Sequence, residues 1–391
     1  MGHDLAAFLD PEQIRRSSAE AGLGDAATQP LLELAARITN DAALLELASA
    51  AHHAVYDSRD DFTEATRRVD AAFGAEAGEL HALFVLDSLR LVREKQALRG
   101  VAVQISRAVN ARHGVAFLKR GLGPNGRVAV QDWVPAWFRR VGGGELYRLG
   151  RLEFMPEPWD HPFRAYSNAH TGESIVLAET GVACGRDGHL DGATEFETRL
   201  SEESGAVLGS PISPLGYCVR EPVRLPLSEW HLELARGDRV LDLHVPAEGA
   251  LSLTALHDAL TEAEPFFDQH YPDRRFVAYA CDSWLFSTQL EAMLAADSNI
   301  LAWQRQGYLV PTHGAHESFL SFTFGSRSID LETAPRDTRL RRGVIEHLER
   351  GGRLRGGAWL LLRRDLSRFG AEPYRTSSAS ALRRMRVEHG V

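Results

Sequence analysis

Val240-Leu-Asp-Leu-His-Val-Pro246 and, further on, Phe276-Val-Ala-Tyr-Ala-Cys281 decide how this chain is read. The first is a short β-rich run closed by a proline, which has no N–H to offer a ladder. The second is apolar almost throughout, as a strand buried on both faces must be. Between them Ser252 can cap a helix that carries Leu253, Leu256, Leu260 and Phe267 along one side. Pro265 is expected to bend or end that helix. Ser287 precedes a short helical run through Leu290, Met293 and Leu294. Asp297 or Ser298 can cap Asn299–Gln306, which Gly307 closes. Glu317–Phe324 reads as one more strand. This β-α-β-α-β order makes the first two strands a parallel pair joined by a helical crossover.

Outward from this region the periodicity differs on the two sides. Upstream, Leu31–His52 is Ala- and Leu-rich without Gly or Pro and reads as one helix. Asp61–Phe73 follows, with Asp60 or Asp61 as N-cap, then Glu79–Leu98 with the apolar spacing of a buried helix. Val101–Arg112 is a shorter helix expected to stop near Gly114, and Gly123-Pro-Asn-Gly126 is a turn. Trp133 and Trp137, four apart, share a helix face and are expected in the core. At Gly142-Gly143-Gly144 the pattern changes to short β segments: Leu146–Met155, Ser174–Ala183 and Val207–Ile212. Gly185–Gly205 reads as a polar loop, and Asp187–Gly192 as a turn lacking the carboxylate spacing of a calcium loop. The expected class is α+β. A helical domain over 1–140 precedes a mixed-sheet domain over 145–365, and 366–391 form a basic C-terminal tail.

Composition removes several classes. At 391 residues, 44% hydrophobic and 25% charged, the chain suits two ordinary globular domains. No apolar run is long enough for a membrane helix, and Met1–Asp10 has no basic segment ahead of an apolar one, so a cytoplasmic protein is expected. Cys184, Cys218 and Cys281 are scattered and lack metal-ligand spacing, which fits free thiols; His52-His53 has no matching second pair, and no metal is expected. The net charge of −9 argues against nucleic acid as a partner. It is unevenly spread. Residues 336–391 hold 14 Arg against 6 acidic residues, a net +8, so the rest of the chain carries −17. That basic segment reads either as solvated helix faces or as a surface for a polyanion.

Five segments in order resemble a known family: Arg99-Gly-Val101, Leu146-Tyr-Arg-Leu-Gly-Arg-Leu-Glu-Phe154, Leu243-His-Val-Pro246, Asp282-Ser-Trp-Leu285 and Ser298-Asn-Ile300. With Asn299-Ile-Leu-Ala-Trp303-Gln-Arg-Gln-Gly307-Tyr308, they are similar to GNAT acyltransferases. The branch they resemble places a helical domain before a GNAT-like one and includes N-acyltransferases of teicoplanin-type glycopeptides. The resemblance implies that Leu241–Pro246, Phe276–Trp284 and Phe319–Phe324 are the family's fourth, fifth and sixth strands. It also implies an acyl-CoA donor, or an acyl carrier protein, and a small-molecule amine acceptor. A pantetheine thioester would lie between Val245 and Cys281, with phosphates near Gly249, Ala250, Leu251 and Ser252 or near Arg341, and Asn299 against the pantetheine arm. Two positions depart from the family. The phosphate loop, Pro246-Ala-Glu248-Gly249-Ala250-Leu251, keeps one glycine and adds a carboxylate. The family's general-acid tyrosine is replaced by Trp303, whose indole is a hydrogen-bond donor only.

Amine acylation needs a base, a polarised carbonyl and a route for protons. His244 ends the first strand of the parallel pair, and imidazole exchanges protons near neutrality. Asp242, two residues earlier, lies on the same strand face and can orient it. Glu153 is a second candidate base, and Ser283 a candidate proton donor beside the second strand. The competing readings are local: a strand-end histidine, a strand-end hydroxyl, a Glu153 paired with Arg148 or Arg151, and a helix-capping Asn299. At the level of function the alternatives are an acyl-CoA-binding regulatory module without turnover and a Ser283–His244 hydrolase. No Gly-x-Ser-x-Gly elbow surrounds that serine.

Overall fold

The computed structural model describes residues 5–56, 62–130 and 134–387. Contacts divide the chain between Arg148 and Leu149 into two compact units.

The first unit is helical: α1 (Leu5–Phe8), α2 (Pro11–Ala21), α3 (Asp25–Asn40), α4 (Ala42–Tyr56), α5 (Phe62–Phe73), α6 (Ala77–Leu98), α7 (Val103–Asn110), α8 (Ala116–Arg120) and α9 (Val134–Gly142). The helix expected over Leu31–His52 is two helices broken at Asp41. That residue is extended, at φ −121° and ψ 109°, and its carboxylate accepts the amides of Ala43 and Leu44 at 2.9 and 3.1 Å. One side chain thus ends α3 and caps α4. Gly114 stops nothing. The chain runs through it as a π turn, Ala111–Val115, into α8. A Cβ at Gly114 would stand 2.2 Å from Leu89 of α6, so the glycine serves close helix packing there. The proposed caps Asp60 and Asp61, and Trp133, lie outside the described residues. Trp137 donates to His113 at 3.1 Å. His52 binds Asp87 at 2.9 Å, with both side chains fully buried.

The second unit is built on a six-stranded sheet. Its strands are β1 (Tyr147–Leu149, across the division), β2 (Leu152–Pro158), β3 (Arg239–His244), β4 (Ala278–Ser283), β5 (Tyr308–Pro311) and β6 (Gly357–Leu362), in the order β1-β2-β3-β4-β6-β5. β3 and β4 are parallel; β2–β3, β4–β6 and β5–β6 are antiparallel. The helices are α10 (Leu253–His270), α11 (Leu290–Met293), α12 (Asn299–Gln304), α13 (His316–Phe324), α14 (Arg339–Glu349) and α15 (Pro373–Val387). Ser252 caps α10 through the amide of Ala255, and α10 passes through Pro265 to His270. Residues 163–234 fold into further small antiparallel sheets between β2 and β3. They include Phe196–Glu197 and Leu200–Glu203, inside the stretch expected to be loop.

Three further sequence expectations change. Glu317–Phe324 is helix, not strand. Phe319, Leu320 and Thr323 are buried while Phe322 points outward, and Gly325 ends the helix at φ +77°. The strand that follows α12 is β5. β6 comes later in the chain and inserts between β4 and β5, a placement that no local pattern reveals. Finally, the segment expected as a basic tail contains α15. Its Ala381 and Leu382 pack into a core with Tyr166, Ile175, Leu177 and Trp230. Tyr374 donates to Asp365 at 2.8 Å and accepts the amide of Leu362 at 3.0 Å, tying α15 to the end of β6.

Candidate active site

The parallel pairing of β3 and β4 covers Val240 with Ala278, Leu241 with Tyr279 and Asp242 with Ala280, and goes no further. Beyond it, Leu243 and His244 pair on the other side with Phe154 and Glu153 of β2. Cys281, Asp282 and Ser283 pair with β6. The two strands therefore part after Asp242. Across the opening the Cys281 thiol donates to the Leu243 carbonyl at 3.0 Å. Burial, and then the charges of Asp242 and Asp282, push this thiol well up, so Cys281 is a neutral lining group and not a nucleophile.

Register fixes which side chains share a face, because paired residues and alternate residues point the same way. Glu153, Asp242, His244 and Asp282 lie on one face of the opening. Tyr279, Leu243 and Cys281 lie on the other, where the Tyr279 hydroxyl donates to Leu260 of α10 at 2.9 Å. His244 Nε2 stands 3.3 Å from Asp242 Oδ2, with 23% of each side chain exposed. His161, from the segment after β2, brings Nε2 to 3.7 Å from Asp282 Oδ2 and packs its ring against Trp159. Partial burial, in a side chain that still keeps 54% of its surface exposed, then the neighbouring Asp242 carboxylate, pushes the Asp282 carboxyl up to about 6. Burial holds the His161 imidazole below its ordinary value, against the opposing pull of Asp160 and Asp242.

At the end of β3 the loop Pro246–Ser252 leads into α10. Arg151, only 9% exposed, donates from Nη2 to the Gly249 carbonyl at 3.0 Å and from Nε to that of Ala250 at 3.1 Å. Its fork turns two successive carbonyls inward and fixes the path of the exposed Gly249–Ala250 segment. Val245 and Leu251 flank this turn, half-buried. The Ser252 hydroxyl is occupied by its cap bond.

The other sequence candidates fall differently. Ser283 accepts the amide of Leu285 at 3.2 Å and so organises the turn Trp284–Phe286, the local role weighed for it. Glu153 is 3% exposed, opposite His244 in the ladder. Asn299 is exposed at the first position of α12, which Ser298 caps. Trp303 is fully buried against Phe286 and Trp359, and a Cβ at Gly307 would stand 2.2 Å from the Trp359 indole nitrogen. The α12 motif is thus core packing. Arg341 grips Asp337 at 2.9 and 3.0 Å, donates to the Thr323 carbonyl at 3.0 Å and lies over Phe324, so its fork is engaged within its own neighbourhood. The sequence reading gave no role to Asp282 or His161, and named Arg151 only as an alternative partner of Glu153. Alternation from Asp242 and His244 onto the paired strand was the signal for Asp282. Nothing in the spacing pointed to the other two.

A family model described as the GNAT-like C-terminal domain matches residues 146–360, more than half of the chain, and the chain belongs to that family. Three solved acyltransferase structures share the fold, each covering 90% of this chain and 88% of their own. One, in complex with decanoyl-CoA and teicoplanin, is 23% identical with a TM-score of 0.54. A mutant in complex with octanoyl-CoA is 21% identical with a TM-score of 0.54. A complex with CoA and 10C-teicoplanin is 22% identical with a TM-score of 0.53. No curated protein matches the chain. Among the described residues no helix is long and apolar enough to cross a membrane, and no group of side chains could hold a metal ion.

Proposed function

We propose that the protein is an acyl-CoA-dependent N-acyltransferase that moves an acyl group from a thioester to the amine of a small molecule or natural product. The observation that carries the reading is the parting of β3 from β4 beside a His–Asp pair. The thioester enters the opening between Val245 and Cys281. A backbone N–H exposed by the missing ladder bonds stabilises the carbonyl oxygen as its charge grows. His244, oriented by Asp242, takes the proton from the attacking amine; Glu153 is the next base in line. The donor's phosphates lie against the Gly249–Ser252 turn at the start of α10, where backbone amides and the helix dipole favour an anion. Asn299 is assigned to the pantetheine arm. Arg341, engaged with Asp337, is assigned to the phosphates only if it exchanges that partner. The solved relatives that bind acyl-CoA and teicoplanin support this choice of donor and of an amine-bearing natural product. We propose a cytoplasmic location, where acyl-CoA is available as donor.

Release of free thiol from acyl-CoAs of several chain lengths, with and without a panel of amines, tests the reading. Amine-dependent release is expected. Binding without release favours the regulatory module, release without amine the hydrolase, and activity only with acylated carrier protein a different donor. General-base catalysis contributes about 10²- to 10⁴-fold, so His244→Ala is expected to lower kcat by that range with acyl-CoA affinity nearly unchanged. A variant that keeps more than about a third of wild-type turnover makes His244 structural.

A further inference from the structure

We infer that Asp282, flanked by His161, is the acid that protonates the sulfur as it leaves the thioester. The assignment rests on the acyl transfer proposed above. The need for such a group follows from the sequence. The leaving group is an alkyl thiolate whose conjugate acid is weak, about 8.5 for an ordinary thiol. By the resemblance given above, the family's general-acid tyrosine is replaced by Trp303, which is fully buried against Phe286 and Trp359. Neither its chemistry nor its position allows proton donation to a ligand in the opening.

The described groups at the opening narrow the choice. The Cys281 thiol is buried, held neutral, and already donates to Leu243. The Ser283 hydroxyl is oriented by the amide of Leu285. His244 is the base. Asp282 follows Cys281 directly, shares the face of His244, and keeps 54% of its side chain exposed, so a ligand can reach it. Its carboxyl is pushed up to about 6, so that roughly a tenth of the molecules carry its proton at pH 7. The charged and titratable groups on its face are Asp242 of β3, which raises it, His244 of β3 and Glu153 of β2, while His161 brings its Nε2 to 3.7 Å. Thr312, after β5, lowers it slightly. Asp160 and Arg236 act on the neighbouring His161, with opposite signs.

The proton count closes. The amine nitrogen forms the bond to the acyl carbon and gives a proton to His244. The carbon–sulfur bond breaks, and sulfur takes the Asp282 proton and leaves as a neutral thiol. The imidazolium then loses its proton to solvent, and Asp282, with 54% of its side chain exposed, regains one from it. Nothing is oxidised or reduced.

The test varies the leaving group. Asp282→Asn and the wild type are compared on two truncated donors, an N-acetylcysteamine thioester and a thiophenol thioester, and on acyl-CoA. An aryl thiolate leaves without protonation. The variant is therefore expected to lose about 10²- to 10⁴-fold in kcat with acyl-CoA and with the alkyl thioester, and less than about threefold with the aryl one. Asp282→Glu, which keeps an acid, should recover part of the alkyl activity. The alkaline limb of the acyl-CoA pH profile, set by the need for a protonated Asp282, should disappear in the Asn variant. Equal losses on alkyl and aryl donors, or none on either, overturn the assignment while leaving acyl transfer intact. A wild type that releases thiol from no donor with any amine overturns acyl transfer itself, and the acid with it.

Discussion

Replacing Arg151 by methionine removes the two bonds that hold the turn after β3 and keeps much of the apolar stem. The guanidinium donates to the carbonyls of Gly249 and Ala250 at 3.0 and 3.1 Å from a side chain that is 9% exposed. A hydrogen bond to a charged donor contributes about 1.5–3 kcal/mol when sheltered. Here the acceptors belong to an exposed turn, so water replaces Arg151 at both carbonyls and the joint loss falls to about 1–3 kcal/mol. If amides of this turn hold the donor's diphosphate, that free energy is required again each time coenzyme A binds and reorders it. The dissociation constant should rise about 5- to 140-fold. Titration calorimetry with coenzyme A measures the change, and hydrogen exchange of residues 247–252 reports the turn directly. Arg151→Lys should fall between, since it keeps the charge and loses the fork. Faster exchange with a dissociation constant within about twofold of wild type would refute the placement of the phosphates. Unchanged exchange would refute the claim that Arg151 holds the turn.

Two further outcomes concern stability. Tyr374→Phe removes the hydroxyl between Asp365 and the Leu362 amide and leaves a buried N–H unmet, which costs about 1–3 kcal/mol. Thermal unfolding should show Tm falling by about 2–4 °C per kcal/mol lost, and an unchanged Tm would mean that α15 is not tied to β6 through this residue. For Asp282 the folded protein binds its proton more tightly than the unfolded chain, whose carboxyls sit near about 3.9. The group's contribution to stability is therefore greatest when it is protonated and is lost as pH rises through about 6. Asp282→Asn should melt above the wild type near pH 7.5, and the gap should narrow as pH falls below about 6 and close only below about 3.9. A gap independent of pH would show that Asp282 is not under this strain.

The crossover region was legible because its two strands carry different and strong local signals, a proline-closed run and a continuous apolar run. The helix α10 between them follows from its cap and its apolar stripe. α13 was misread for a physical reason. Ser-Phe-Leu-Ser-Phe-Thr-Phe is rich in aromatic and hydroxyl residues and suits a strand locally, yet Phe319, Leu320 and Thr323 repeat at helical spacing once Phe322 is allowed to face outward. β6 escaped because insertion of a late strand between β4 and β5 is settled by packing partners far away in sequence. The same holds for α15, whose charge hid a face containing Ala381 and Leu382.

The site divides along the same line. His244, Asp242 and Glu153 could be found because strand alternation and a strand end are local properties. Arg341 illustrates the opposite case. A count of cations cannot say which are already neutralised, and Asp337, four residues earlier, is placed to pair with it through one helical turn. Arg151 and His161 become visible only when register and loop path are known, since each acts on a residue distant in sequence. Asp282 lies between these cases. Its strand face was readable, but its proton affinity depends on standing on the face of Asp242, two residues beyond Ala280, and so on the register Asp242–Ala280. A slip of one residue would turn Asp282 to the face of Cys281 and remove the neighbour that raises it. The proton chemistry proposed for this site is therefore a consequence of strand pairing as much as of residue type.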